Sequence, residues 1–112
     1  MSRSEEMFLQ DIILCCEKIS GYTENITFEQ FLKDGKTYDA VVRNLEIIGE
    51  AAKNITDETR GRIPSIPWRN IAGMRDFITH VYFGIDNDIL WDVIQNKMPV
   101  LSSRISTFLK EK

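Results

Sequence analysis

Apolar side chains recur at three- and four-residue steps along almost the whole chain, the period of an α-helix with one buried face. Over residues 4–20 they are Met7, Phe8, Ile12, Cys15, Cys16 and Ile19, and Gly21 ends the run. Thr27 and Gln30 stand at capping-box spacing, opening a short helix that stops before Asp34 and Gly35. The clearest amphipathic segment runs from about 36 to 54. Tyr38, Val41, Val42, Leu45, Ile48, Ala52 and then Ile55 form one stripe, while Arg43, Glu46, Glu50 and Lys53 form another. A connector punctuated by Gly and Pro covers 56–67, with room for one helical turn after Thr56. Pro67 suits the first position of the next helix, where its missing N–H costs nothing. That helix carries Trp68, Ile71, Met74 and Ile78, and it breaks at Gly84. Asp86 reads as the cap of a last helix to about Leu109, with Ile85 and Leu90 at staple spacing and Pro99 placed to kink it. No strand pattern, internal repeat or low-complexity stretch interrupts this period. The expectation is an all-α antiparallel bundle of four main helices plus short helical pieces, forming one domain over 1–112.

Composition narrows the class without changing that picture. A chain of 112 residues buries roughly two-thirds of its unfolded surface, enough for a core without disulfides or a metal. Hydrophobic content of 43% and charged content of 28% exclude a disordered chain. No apolar run approaches the ~20 residues of a membrane span, and the opening MSRSEEMFLQ lacks a secretory layout, so a cytoplasmic protein is expected. The only two cysteines, Cys15 and Cys16, are adjacent on an apolar helix face and read as buried thiols. The net charge of −3 predicts at most a local basic site for a nucleic acid.

The candidate chemistry lies in RDFITHVY, residues 75–82, which contains the single histidine. Histidine titrates near neutrality and can take a proton from a ribose 2′-hydroxyl or return one to a leaving oxygen. Arginine offers a permanent, forked charge for a phosphate. Arg75 and His80 would hold these roles, and Asp76, four residues before His80, would orient the imidazole. At about 100° per residue, Arg75 and Tyr82 share a helical face and His80 points about 140° away from Arg75. Convergence therefore needs either a loosened helix near Thr79 or a second copy of the helix across a two-fold axis. A dimer also supplies the second imidazole that an acid–base pair requires.

Plainer readings of the same residues exist. His80 near a helix end suits a cap, Arg75 a structural ion pair with Glu46 or Glu50, and Tyr82 a packed aromatic. Arg43, Glu46 and Glu50 read as a solvated face, although Gly49, Ala51 and Ala52 beside them suit the close approach of another helix, making this a possible cleft or interface. No HExxH, Glu-x-x-His pair or Cys/His cluster is present, so no metal is expected. There is no Gly-rich phosphate loop either, and no cofactor is implied.

The segments AVVRNLEIIGEAAKNI (40–55), IPWRNIAGMRDFITHVYFGID (66–86) and DILWDVI (88–94) closely resemble the HepT-like family of the HEPN superfamily. The resemblance covers nearly the whole chain. It implies a helical bundle that forms a homodimer, and a toxin encoded beside an MntA-type minimal nucleotidyltransferase antitoxin. It implies a metal-independent ribonuclease whose R-x4-H-x-Y motif falls on Arg75, His80 and Tyr82, with RNA as substrate. It also implies neutralisation by transfer of AMP from ATP to Tyr82. A function of another class competes with this one: a non-catalytic helical module that binds nucleotide or scaffolds the nucleotidyltransferase, gripping phosphate without breaking bonds. Growth arrest relieved by mutation of His80 separates the two.

Overall fold

The computed structural model describes residues 1–74, 76, 78 and 86–111, and every regular element among them is helical. In chain order these are α1 (Arg3–Tyr22), α2 (Phe28–Lys33), α3 (Gly35–Ala52), α4 (Asp57–Arg62), α5 (Trp68–Ala72) and α6 (Asn87–Asp92). A π-helical turn (Val93–Lys97) then joins α6 to α7 (Met98–Glu111). Met74, Asp76 and Ile78 are helical too.

The starts of these helices follow local chemistry. Ser2, Thr27, Asp34, Thr56 and Asp86 each cap one with a side-chain oxygen that accepts an early backbone N–H. At Thr27 the reciprocal bond from the Thr27 N–H to Gln30 completes the expected capping box. Several boundaries differ from the sequence reading, most of all that of the helix opened after Pro67, which closes at Ala72 with Gly73 as its cap instead of running on unbroken. The first helix continues through Gly21 to Tyr22, where Thr23 closes it by donating to the Ile19 carbonyl. Pro67 stands one residue before its helix rather than at its first position.

The expected disturbance at Pro99 takes a specific form. Pro99 has no N–H for the carbonyl four residues back, and the chain widens into a π turn just ahead of it. There the Met98 N–H reaches back five residues to the Val93 carbonyl.

The core is one cluster. Leu9, Ile12 and Ile19 of α1 meet Val41, Leu45 and Ile48 of α3, and Met98, Leu101 and Ile105 of α7 close the third side. The helices run antiparallel: Glu5, near the start of α1, bonds Thr56 just beyond the end of α3. Late in the same helix, Cys16 Sγ donates to Met98 Sδ at the start of α7. Both thiols are buried, and burial pushes Cys16 up to about 12, which leaves it protonated and unreactive at neutral pH. Phe31 brings in α2, stacking on Tyr38 at 5.1 Å and tilting against Trp91 at 5.2 Å.

Glu5 is a buried acid, 4% exposed, that periodicity does not reveal. Burial opposes its charge, yet the Thr56 N–H at 2.7 Å and the Thr56 hydroxyl at 2.9 Å prevail and hold its carboxyl below the usual range. A depressed carboxyl stabilises the fold above the unfolded-state value, and the effect fades as pH falls through the folded one. Glu5→Gln should therefore show a lower urea midpoint than the parent at neutral pH. The gap should narrow between about pH 5 and pH 3. A gap that stays constant over that interval would show that the charge plays no part.

Candidate functional site

The chain enters residues 75–85 from α5 and leaves them into α6, and both flanks are firmly held. On the entry side, Trp68 is 7% exposed and donates its indole N–H to the Ile63 carbonyl at 3.2 Å. Arg60 lies over the same ring at 5.8 Å and donates to the Ala52 carbonyl at 2.8 Å, closing the C-terminus of α3. From the opposite side, Arg104 of α7 donates to the Ser65 carbonyl at 2.6 Å. Ile63 and Ile66 are buried beneath this connector. Three bonds and two apolar anchors thus fix where α5 begins.

On the exit side, the Tyr38 hydroxyl donates to Asn87 Oδ1 at 2.7 Å, tying the start of α3 to the start of α6. Trp91, one turn further, packs on Phe28 at 5.8 Å as well as on Phe31. Between these flanks lies an open groove of about 530 Å³. One wall comes from residues 67–74 and includes Arg69 and Asn70; the other comes from residues 89–98 and includes Ile89, Val93 and Lys97. Buried Met74 and Met98 supply its floor.

Of the residues predicted in the 75–82 stretch, Asp76 is the member that the structure describes. It is solvent-exposed, whereas Met74 and Ile78 are both buried in the core. Arg75, His80 and Tyr82 lie outside the described residues, as does Ile85 of the expected staple. On α3, Arg43 reaches Glu46 at 3.5 Å and Lys53 reaches Glu50 at 3.7 Å, pairs of an exposed helix face. Gly49, Ala51 and Ala52 of that helix are buried. Among the described residues no group of three or more His, Cys, Asp or Glu could hold a metal ion. None of the described helices is long and apolar enough to cross a membrane.

Residues 12–108, which take in α3, the connector and both flanks of the candidate site, match the family described as Ribonuclease HepT-like. The chain belongs to that family. Three relatives align over 86–100% of their own length. The "Probable ribonuclease HepT" of Thermococcus cleftensis is 44% identical over 110 residues, 98% of this chain and 100% of that protein. The "Putative RNase MJ0127" of Methanocaldococcus jannaschii is 42% identical over 104 residues, 93% of this chain and 86% of that protein. The "Putative RNase TTE0752" of Caldanaerobacter subterraneus is 40% identical over 105 residues, 94% of each chain. No solved structure matches the chain.

Within this HepT-like frame, two features escaped the sequence reading. Arg60 looked like part of a polar connector, yet it ties α3 to Trp68; its position eight residues after Ala52, in a turn with no hydrophobic stripe, carries no periodic signal. Arg69 and Lys97 are 28 residues apart in sequence and come to line one groove only in the folded chain. Spacing in a sequence cannot announce such a pair.

Proposed function

We propose that this HepT-like chain is a metal-independent ribonuclease, the toxin of a two-component module whose antitoxin is an MntA-like minimal nucleotidyltransferase. The observation that carries the reading is the family match over residues 12–108, which spans Arg75, Asp76, His80 and Tyr82 at the R-x4-H-x-Y spacing. Ribonuclease names on relatives that align over nearly the whole chain support it.

The chemistry assigns each group one task. In a two-fold dimer, His80 of one subunit accepts the proton of a ribose 2′-hydroxyl. The 2′-oxygen attacks the adjacent phosphorus, and the bond from phosphorus to the 5′-oxygen breaks. The imidazolium of the second subunit protonates that leaving oxygen, giving a 2′,3′-cyclic phosphate and a 5′-hydroxyl end. Arg75 neutralises charge building on the phosphoryl oxygens. Asp76, which is solvent-exposed, would supply the orienting carboxylate. Silencing follows from the tyrosine: the Tyr82 hydroxyl attacks the α-phosphorus of ATP, pyrophosphate leaves, and the AMP retained adds bulk and negative charge beside the motif.

Two measurements test this. The purified chain should cut RNA with EDTA present and leave an all-deoxy strand intact; cleavage that requires an added divalent cation would refute metal independence. Incubation with its nucleotidyltransferase and ATP should add AMP mass on Tyr82, and Tyr82→Phe should abolish the addition. An unmodified chain that is nevertheless inhibited would overturn the silencing step.

A further inference from the structure

The groove between α5 and the π turn joins two kinds of surface. Arg69 and Lys97 are both exposed, one on each wall, and no carboxylate is among its described lining residues. The chain as a whole has 17 acidic side chains against 14 basic ones, so a groove whose described lining holds two cations and no acid runs against its overall charge. Between the cations lies an apolar bed: Met74 and Met98 are buried beneath it, and Ile89 stands 47% exposed at its edge. The Asn70 amide adds a neutral donor and acceptor on the α5 wall. The walls also continue in sequence into the motif, from Met74 on one side and back to Asp86 on the other.

We propose that this groove is a single-stranded RNA subsite outside the cleavage motif, in which Arg69 and Lys97 hold successive backbone phosphates and a base lies on the Met74, Ile89 and Val93 surface. Two cations set across an apolar bed match the alternation of phosphate and base along an unpaired strand. The π turn contributes directly, because Val93 and Lys97 are its first and last residues and both line the wall. The subsite rests on the ribonuclease reading for its purpose, since it would set which stretch of RNA reaches His80. Its physical claim is separately testable.

The test uses the full chain carrying His80→Ala, so that RNA stays intact, and a fluorescent 12-nucleotide unpaired RNA whose anisotropy is followed across a salt series. Adding Arg69→Gln and Lys97→Gln together should weaken binding about tenfold at 0.1 M salt. It should also flatten the slope of log affinity against log salt by about 1.4, the share of two single-strand phosphates. Removing the same charge at exposed Lys18 and Lys110 should change neither value. Equal losses from both pairs would reduce the effect to net charge and overturn the subsite. Unchanged RNA binding together with a lost dimer in sedimentation would make the groove an interface between copies and overturn it too. The ribonuclease reading fails differently: a parent chain that cuts no RNA, yet binds it through Arg69 and Lys97, refutes the enzyme and leaves the subsite standing.

Discussion

His80→Ala should slow RNA cleavage by about 10²–10⁴-fold, the contribution that a positioned acid–base side chain supplies. The chain has one histidine, so in the proposed two-fold dimer the substitution would remove both imidazoles at once, base and acid together. The loss should therefore sit toward the upper end of that range. Arg75→Ala should cost about 10²–10³-fold by withdrawing a charge that matters most when negative charge builds on the phosphoryl oxygens. Single-turnover cleavage of end-labelled RNA in EDTA reads both, with circular dichroism to establish that each variant is folded. The parent should show a bell-shaped dependence on pH, because the proposed mechanism needs one imidazole neutral and the other protonated. A His80→Ala chain that cuts at the parental rate would end the acid–base assignment. A bell that survives in that variant would assign the titrations to other groups.

The elements were legible because their causes are local. The stripe from Tyr38 to Ala52 is a core face at helical spacing, and α3 buries Val41, Val42, Leu45 and Ile48 from it. Thr27, Thr56 and Asp86 cap helices because a side-chain oxygen placed before an apolar run can take an orphaned N–H, which a short stretch of sequence displays. Pro99 announced a disturbance through its missing N–H, but not its form, since whether a helix bends or widens into a π turn depends on what its two faces must reach. The long-range polar bonds were invisible. Glu5 to Thr56 spans 51 positions and Tyr38 to Asn87 spans 49, and either acid or phenol would read equally well as a surface group. The site divides along the same line. The roles of Arg75, His80 and Tyr82 came from the chemistry of three side chains and from resemblance to a family. The surroundings that would deliver RNA to them, Arg69 and Lys97 across an apolar bed, exist only once α5 and the π turn line one groove in the folded chain.

Trp68→Ala should be the most damaging change among the residues that hold the site in place, costing about 3–5 kcal/mol in urea unfolding followed by circular dichroism. Three losses coincide there. A large ring that is 7% exposed leaves a void beneath the connector, the Ile63 carbonyl loses its indole donor, and Arg60 loses the face it rests on. Trp68→Phe separates them. It keeps most of the buried ring and a face for Arg60 but cannot donate to Ile63, so it should cost about 1–3 kcal/mol. Because Trp68 opens α5, and α5 leads within a few residues to Arg75, activity should fall further than the folded fraction alone explains in Trp68→Ala, and only slightly in Trp68→Phe. A Trp68→Ala chain with the parental urea midpoint would mean that the connector is held by Arg104, Ile63 and Ile66 without the indole. A folded Trp68→Ala chain with full activity would show that the entry to the motif is positioned from its α6 side, where Tyr38 grips Asn87.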